Sequence, residues 1–306
     1  MRIRQQAFID PDKKMLKGGL HIHTTRSDGH NYPEETIQEY YEQGYDFLSL
    51  TDHRIYNYKN FRPDLPITVI PGMENDCAFR WLPYHTVCLG PVKEEGNGYE
   101  QDEKFDCLEI HDDEMCHAWL KEIHDRKNQT IYCHPEWSHT QAVIFENHTE
   151  HFAMEIWNSG SAISCNIDKD APYWDEILGQ GKVIYGVAAD DAHQKYKMGK
   201  GWVMVNAEND VNSILEALKN GAFYSSCGPE IYDFYIDGST AVIECSPVTK
   251  IGLYCDMHLP QLKRSASGEL VRAEFQIPGY DYVRVTVTDS EGNKAWTNPI
   301  FLDGRK

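Results

Sequence analysis

The sequence predicts an α/β protein: a barrel-like array of strands over residues 1–226, followed by a small antiparallel all-β domain over residues 227–306. Two observations predict this fold. Between residues 15 and 226, apolar strand-like runs repeatedly end in histidine or a carboxylate. Beyond residue 226 the pattern changes to short alternating segments separated by turn signals. Strands whose carboxyl ends meet at one rim would place these polar side chains together.

The first such strand end carries two histidines one residue apart. The run Gly18-Gly19-Leu20 leads into His21-Ile22-His23, and side chains at i and i+2 of a strand point the same way. Two imidazoles directed at one point suit a transition metal. Five further segments contribute similar side chains: Asp52-His53 after residues 47–51, Glu74 after 67–70, His85 opening 85–89, His134 after 130–133, and Asp190, Asp191 and His193 after 182–188.

In this order, the residues resemble the motifs of the PHP (polymerase and histidinol phosphatase) metal-dependent phosphoesterases. The matching motifs are His21-x-His23-Thr24, Ser27-Asp28-Gly29, Thr51-Asp52-His53, Glu74, His85, His134-Pro135 and Asp191-x-His193. The resemblance implies a distorted (β/α)7 barrel of the PHP type with two or three divalent metal ions. The small antiparallel β-sandwich-like domain would be an appended module, which some members of this family carry.

The resemblance also assigns ligands, with Glu74, Asp191 and His193 as the catalytic residues. The first ion would be held by His21, His23, Glu74 and Asp191, the second by Glu74, His85 and His134, and the third by Asp28, His53 and His193. Imidazole and carboxylate ligands suit zinc, manganese or iron, whereas magnesium and calcium favour all-oxygen shells. Adjacent divalent ions can bind a phosphoryl group and lower the pKa of a bridging water.

Polar residues beside these ligands have two interpretations each. Arg26, Arg54 and Lys195 are either ordinary loop charges or groups that grip a phosphate. Asn158 could touch substrate or water at the end of another strand.

Two further neighbours are also ambiguous. Asp52 is either a solvated or helix-capping aspartate or an acceptor that orients a ligand imidazole. Strand alternation would turn Cys133 away from its neighbour His134, so Cys133 is not expected among the ligands.

Composition narrows the functional class. The net charge of −19 argues against binding a long nucleic-acid backbone, which requires clustered Lys and Arg. The sequence lacks an apolar run of about 18 residues, so no membrane association is expected. Nine cysteines without C-x-x-C spacing, and an N-terminus without an apolar signal region, predict reduced thiols in a cytoplasmic protein.

Local patterns predict individual elements. Pro33 opens a helix over residues 33–41 that ends before Gly44, and the spacing of Val211, Ile214 and Leu218 predicts a second helix. Beyond residue 226, strands are predicted at 231–236, 240–245, 250–255, 271–277 and 282–288.

We therefore expect a hydrolase of phosphate esters, in which metal-bound hydroxide attacks the phosphorus of a small phosphorylated metabolite or nucleotide. One alternative is a phosphodiesterase or exonuclease acting on short oligonucleotides or nucleotide bisphosphates. Another is a binding or scaffold module stabilised by its metal. Structural zinc sites are typically rich in cysteine, whereas this set is histidine and carboxylate, which favours catalysis. A Ser-His-Asp hydrolase is disfavoured because the sequence lacks a G-x-S-x-G motif.

Overall fold

The structure is a computed structural model, and it describes residues 2–140, 150–256 and 260–304. Within these ranges none of the helices is both long enough and apolar enough to cross a membrane. The α-helices in the described ranges are α1 (Pro33–Glu42), α2 (Asp113–Asp125), α3 (Ser159–Cys165), α4 (Ala171–Gly179) and α5 (Val211–Lys219).

The strands are interspersed with these helices up to residue 226, and beyond it the described residues form strands and connecting segments without a further helix. In chain order they are β1 (Ile3–Arg4), β2 (Met15–Gly19), β3 (Phe47–Leu48), β4 (Thr68–Val69), β5 (Gly72–Phe79), β6 (Leu82–Leu89), β7 (Leu108–Ile110), β8 (Gln129–Tyr132), β9 (Ala153–Asn158), β10 (Tyr185–Ala189), β11 (Trp202–Asn206), β12 (Phe223–Ser226), β13 (Ile231–Asp237), β14 (Thr240–Val248), β15 (Lys250–Cys255), β16 (Gln261–Arg264), β17 (Leu270–Gln276), β18 (Tyr282–Thr288), β19 (Lys294–Thr297) and β20 (Ile300–Phe301).

Two sheets carry the strand ends identified in the sequence. One has six strands in the order β10-β9-β8-β6-β5-β7, and the other has ten, in the order β16-β15-β18-β19-β12-β11-β2-β3-β4 with β20 beside β18. Single bridges join the two sheets, at Ile22–Ala192 and at His53–Glu74. The architecture is mixed α/β. We call the bridge at Ile22–Ala192 the first seam and the bridge at His53–Glu74 the second seam; at both, the described strands of the two sheets meet through a single bridge instead of a continuous ladder.

The strand that carries His85 differs from a parallel barrel strand. β5 and β6 form an antiparallel hairpin, so His85 lies inside β6, opposite Asp76. The chain reverses at Arg80 and Trp81, whose φ angles are +48° and +75°. A tight hairpin turn with positive φ at both central residues matches the twist of the flanking strands. The hairpin directs His85 back towards Glu74.

The C-terminal strands pack as two antiparallel layers. One layer is the four-stranded sheet β1-β13-β14-β17, and the other is the part of the ten-stranded sheet that contains β15, β16, β18 and β19. Buried side chains such as Phe234, Ile243, Phe275 and Val285 form the core of this region. The ten-stranded sheet continues through β12 and β11 to β2, so one sheet spans the region on both sides of residue 226.

A buried arginine joins the C-terminal strands to helix α4. Arg284 in β18 is 1% exposed, and its Nε and Nη2 donate to the two carboxylate oxygens of Asp175 at 2.7 and 2.6 Å. Its Nη1 donates to Thr286 Oγ1 at 3.0 Å. The guanidinium carbon lies 4.6 Å from the ring centre of Trp174 and 4.3 Å from that of Tyr254. We call this group, Arg284 with Asp175, Thr286, Trp174 and Tyr254, the arginine clamp.

Candidate metal centre

Backbone hydrogen bonds at the first seam bring the two histidines of the first motif beside Asp191. The amide of His23 donates to the carbonyl of Ala192 at 3.1 Å, and the amide of Asp191 donates to the carbonyl of His21 at 3.0 Å. Asp191 has a φ of +48°, a conformation that costs energy for a residue other than glycine. The surrounding bonds hold this conformation and place the carboxylate against both imidazoles.

Glu74 is positioned in the same way at the second seam. Its amide donates to the carbonyl of Thr51 at 3.1 Å, and its carbonyl accepts from the amide of Arg54 at 2.7 Å. These two bonds fix the start of β5 beside His53. The Glu74 side chain, only 1% exposed, extends from there into the space between the two sheets.

The first predicted ligand group has the spacing of a single coordination sphere. His21 Nε2 and His23 Nε2 lie 3.3 and 3.2 Å from Glu74 Oε2. The same two nitrogens lie 3.5 and 3.2 Å from Asp191 Oδ1. Ligand atoms about 2.0–2.2 Å from a tetrahedral ion are roughly 3.3–3.6 Å apart. His21, His23 and Asp191 therefore form a cluster that could hold one metal ion, and Glu74 lies within 3.3 Å of both imidazoles.

The other oxygen of Glu74 faces the second predicted group. Glu74 Oε1 lies 2.9 Å from His85 Nδ1 and 3.5 Å from His134 Nε2. His53 also approaches, with its Nδ1 3.0 Å from Glu74 Oε2. One buried carboxylate thus faces two separate sets of imidazoles, as a bridging ligand would.

The third predicted group lies nearest to solvent. Asp28 Oδ2 lies 3.2 Å from His193 Nε2 and 3.7 Å from His53 Nε2. The structure adds His23 to this group, because its Nδ1 lies 3.6 Å from Asp28 Oδ1. His23 therefore presents one ring nitrogen to the first group and the other to the third, a sharing that the sequence did not predict.

Unsatisfied buried atoms show that the donor set fits metal ions. Among the buried atoms without a hydrogen-bond partner in the part of the chain that the structure describes, four belong to predicted ligands: His21 Nε2, both ring nitrogens of His23, and Glu74 Oε2. Buried polar atoms without partners are costly. His193 is compatible with the same conclusion: its Nδ1 donates to the Asp191 carbonyl at 3.1 Å, so in a neutral His193 the lone pair of Nε2 would face the Asp28 carboxylate. A cation between these two acceptors would satisfy both.

The electrostatics of the cluster also favour cations. Burial disfavours the charged form of His21, but Asp191, Glu74 and Glu155 outweigh burial and raise its pKa well above the usual value. The same balance of burial against the neighbouring carboxylates raises the pKa of His53 to about 11. Burial likewise opposes ionisation of Glu74, yet the surrounding histidines lower its pKa well below normal. A field that would hold protons on these imidazoles would equally attract divalent ions.

The cationic residues beside the ligands already have carboxylate partners. Lys195 is exposed and points to Glu39 on helix α1. The ion pairs are Arg26 with Asp102, Arg54 with Asp76, and Lys195 with Glu39. Arg26 also lies within 4.0 Å of a second carboxylate, that of Asp52.

Asp52 and Asp190 stabilise loops that carry ligands. Asp52 is buried and accepts from the Thr24 amide at 2.8 Å and from Ser27 Oγ at 2.9 Å, which fixes the loop that leads to Asp28. Asp190 is also buried and accepts from the backbone amides of residues 199–201 at 2.6–2.7 Å. These bonds connect both carboxylates to backbone and hydroxyl groups.

Two carboxylates next to the ligands were missed in the sequence. Glu155 in β9 is buried, with Oε1 2.7 Å from His21 Nδ1. Asp76 in β5 lies 3.0 Å from His53 Nδ1. A carboxylate inside the apolar run 152–156 was the available signal for Glu155. For Asp76 the signal was its position two residues after Glu74, on the same face of a strand.

Cys133 differs from its expected position, whereas Asn158 lies beside two carboxylates of the centre. The Cys133 sulfur lies within 4.8 Å of ligand-type atoms of His21 and Glu155, so the expectation that it turns away from the cluster is wrong. Strand alternation fails here because β8 ends before Cys133 and His134 has a φ of +29°. Asn158 is buried, and its Nδ2 donates to Glu155 Oε2 at 2.8 Å and to Asp191 Oδ2 at 3.2 Å. Its amide group is thus engaged inside the protein.

Comparison with known proteins supports the fold. No family model matches the sequence, and no curated protein matches it. A solved two-domain protein from Bacteroides vulgatus, described as containing a predicted PHP-like metal-dependent phosphoesterase, aligns with a TM-score of 0.53. The alignment covers 98% of this chain and 99% of that chain at 16% sequence identity. This chain has the PHP-like two-domain fold. The resemblance predicted from the motifs is confirmed at the level of the fold.

Two other solved structures align with parts of this chain. One is from Bifidobacterium adolescentis, and its description assigns it as a metal-dependent phosphoesterase without naming a demonstrated activity. The alignment covers 67% of this chain and 96% of that chain, with a TM-score of 0.44 and 11% identity. An amidohydrolase from Chromobacterium violaceum covers 58% and 87%, with a TM-score of 0.41 and 13% identity. Both scores are low, so the fold assignment rests on the Bacteroides protein.

Proposed function

We propose that this protein is a metal-dependent hydrolase of phosphate esters that acts on a small phosphorylated metabolite or nucleotide. The observation that carries the proposal is the position of Glu74. Its two oxygens face different sets of imidazoles, with distances of 2.9–3.5 Å to five histidines. A shared carboxylate of this kind suits two adjacent ions.

The proposed centre holds two or three ions of zinc, manganese or iron. Bound divalent ions would supply Lewis acidity and a water of lowered pKa. The proposed ligands are His21, His23, Glu74 and Asp191 for the first ion, Glu74, His85 and His134 for the second, and Asp28, His53 and His193 for the third.

The chain's own residues set the direction from which substrate would arrive. The His21, His23 and Glu74 side chains are at most 1% exposed, whereas that of Asp28 is 56% exposed. A phosphate ester would therefore approach past Asp28, with the buried ligands behind it. Glu74, Asp191 and His193 are the proposed catalytic residues, because they link the exposed third ligand group to the buried first ligand group.

Charge supports a small substrate. The protein has a net charge of −19, and Arg26, Arg54 and Lys195 are each paired with a carboxylate. Few cations near the centre remain available for the successive phosphates of a long strand. We propose a compact phosphorylated ligand and no long nucleic acid as partner.

The finer architecture and location are also proposals. We propose that the two seams complete a distorted (β/α)7 barrel over residues 1–226, with a β-sandwich-like domain over residues 227–306 whose four-stranded sheet β1 joins by pairing with β13. All nine cysteines are free, which is compatible with a cytoplasmic protein.

Metal analysis and a substrate panel test the proposal. Protein purified without chelator should contain two or three divalent ions per chain by elemental analysis. With Mn²⁺, Zn²⁺ or Fe²⁺ it should hydrolyse phosphomonoesters, and chelation should abolish the activity. Preference for diesters or short oligonucleotides would indicate a phosphodiesterase instead. Bound metal without hydrolysis of any phosphate ester would favour a binding module, and full activity in metal-free protein would refute the mechanism.

A further inference from the structure

Glu155 contacts three parts of the proposed metal centre without being one of its predicted ligands. Its side chain is 1% exposed. One oxygen, Oε1, lies 2.7 Å from His21 Nδ1. The other, Oε2, accepts from the His134 backbone amide at 2.9 Å and from Asn158 Nδ2 at 2.8 Å. Asn158 in turn donates to Asp191. One buried carboxylate therefore connects three candidate ligands.

The donor and acceptor pattern determines which nitrogen of His21 carries hydrogen. An ionised carboxylate only accepts, so the bond to Glu155 places hydrogen on Nδ1 of a neutral His21. The lone pair is then on Nε2, the atom that lies 3.3 Å from Glu74 and 3.5 Å from Asp191. A metal ion binds the nitrogen that carries no hydrogen.

We propose that Glu155 is a positioning residue: it holds His21 in the Nδ1–H tautomer and ties that ring to His134 and, through Asn158, to Asp191. The inference rests on the proposed metal centre and adds a residue to it. Asn158 acts with Glu155, since its Oδ1 accepts from the Ser161 amide at 2.8 Å and fixes the orientation of the side-chain amide.

The distances favour a hydrogen bond over a metal ion shared between Glu155 and His21 Nδ1. Two ligand atoms about 2.05 Å from one ion are at least about 2.9 Å apart when the angle between them is a right angle or wider. The observed 2.7 Å between Glu155 Oε1 and His21 Nδ1 is a hydrogen-bond distance.

Glutamine at position 155 keeps the size of the side chain and breaks the pattern. Its single oxygen would accept best from the His134 amide and Asn158, which leaves its NH2 group facing His21 Nδ1. His21 would then have to accept at Nδ1 and carry hydrogen on Nε2, the atom that faces the metal. The reverse orientation would point the NH2 group at two donors, which is also unfavourable.

The test compares E155Q with D175N, a matched carboxylate-to-amide change in the arginine clamp. Zinc affinity is measured by chelator competition, and histidine tautomers by long-range ¹H–¹⁵N NMR of the zinc-loaded proteins. Circular dichroism establishes that each variant is folded. We expect E155Q to weaken zinc binding by about 10–100-fold and to reduce the Nδ1–H signal of His21. D175N should leave both readouts as in the wild type.

A second variant covers the case in which E155Q does not fold. N158A removes the link to Asp191 but retains the bond from His21, so we expect a smaller loss of zinc affinity, about 3–10-fold, with the His21 tautomer unchanged. Wild-type zinc affinity and an unaltered His21 signal in E155Q would overturn the inference and leave the proposed function intact. If E155Q is unfolded, wild-type affinity in N158A would overturn it. A wild-type protein that binds no divalent ion would refute both proposals.

Discussion

Two buried polar clusters in this molecule differ in hydrogen bonding: the arginine clamp pairs its polar groups within the protein, and the metal centre leaves several of them unpaired. In the arginine clamp, Arg284 is 1% exposed and donates to both oxygens of Asp175 and to Thr286. In the metal centre, His21, His23 and Glu74 are equally buried, yet four of their polar atoms have no partner among the described residues.

The difference separates a structural cluster from one that requires an external partner. A buried charge is tolerated when the protein surrounds it with matched donors and acceptors, as in the clamp. The metal centre instead brings carboxylates close to imidazole nitrogens at 3.2–3.5 Å without aligned hydrogen bonds. Such an arrangement is stabilised when positive charge lies between the groups, either as protons on the imidazoles or as bound cations.

The largest expected effect follows from removing the shared carboxylate oxygen of the centre. Glu74→Gln preserves shape, but an amide nitrogen cannot ligate a metal ion, so one of the two faces of the side chain is lost. We expect kcat to fall by at least about 10³-fold at saturating metal. Steady-state kinetics with elemental analysis of the same sample measures the loss.

Asp28→Ala is the matched comparison, because Asp28 is a proposed ligand of the exposed third ion alone and does not bridge two ions. We expect a smaller loss, about 10–100-fold. Equal losses in the two variants, or a larger loss in Asp28→Ala, would show that Glu74 is not the shared ligand.

The next largest effect concerns the clamp, where stability and not metal binding should change. Arg284→Met keeps much of the side-chain length but leaves Asp175 without its partner and removes the cation between two aromatic rings. We expect the free energy of unfolding to fall by about 2–3 kcal/mol, less than for a fully buried pair because the Asp175 side chain is 33% exposed. Urea denaturation measures it.

Arg4→Met is the control for this change. Arg4 pairs with Asp233 at 3.0 Å, but its side chain is 40% exposed. An exposed pair contributes at most about 1 kcal/mol. Similar losses of stability in the two variants, or a lower metal content in Arg284→Met, would contradict the separation of the two clusters.

Local patterns in the sequence predicted the elements with strong periodicity and clear end signals. The predicted helix at 33–41 is α1, which begins at Pro33 and is followed by Gly44 with φ +76°. The strands predicted at 250–255 and 282–288 coincide with β15 and β18. Each of these signals is contained within a few consecutive residues, so the sequence alone carries it.

Features that depend on distant pairs could not be predicted. Glu155 and His21 are 134 positions apart, and Arg284 and Asp175 are 109 apart, so no local pattern links either pair. The β5–β6 hairpin was missed because its turn carries Arg80 and Trp81 in place of the glycine or asparagine that positive φ normally selects. The convergence of strand ends was predictable in outline, but the contacts of each side chain required the fold.

A third prediction uses pH to compare the centre with and without metal. Burial lowers the pKa of His21, His23 and His134, but the neighbouring carboxylates outweigh burial and raise it. In metal-free protein the protonated histidines therefore stabilise the fold, and this contribution is fully present below about pH 6.5. It is lost as pH rises through the elevated values, and bound metal then replaces it. The pKa of Glu74 is lowered, so its contribution changes only in acid, outside this range.

We therefore expect divalent metal to raise the melting temperature by several degrees more at pH 8 than at pH 6. Calorimetry of chelated and metal-loaded protein at both pH values measures the difference. An equal metal-dependent increase at the two pH values would show that these imidazoles do not exchange protons for metal.

The smallest expected effect is the salt dependence of kcat/KM, which tests whether cationic side chains outside the metal centre bind the substrate. Arg26, Arg54 and Lys195 are each paired with a carboxylate, so a phosphate ester would displace few counterions from protein cations. With about one phosphate neutralised, kcat/KM for a mononucleotide should fall only about threefold between 50 and 200 mM salt. A single-stranded 20-mer should react less efficiently and show the same shallow dependence, because the acidic surface repels the rest of the strand. A preference for the 20-mer combined with a loss of a hundredfold or more over this salt range would instead require a basic track, and it would favour the exonuclease alternative.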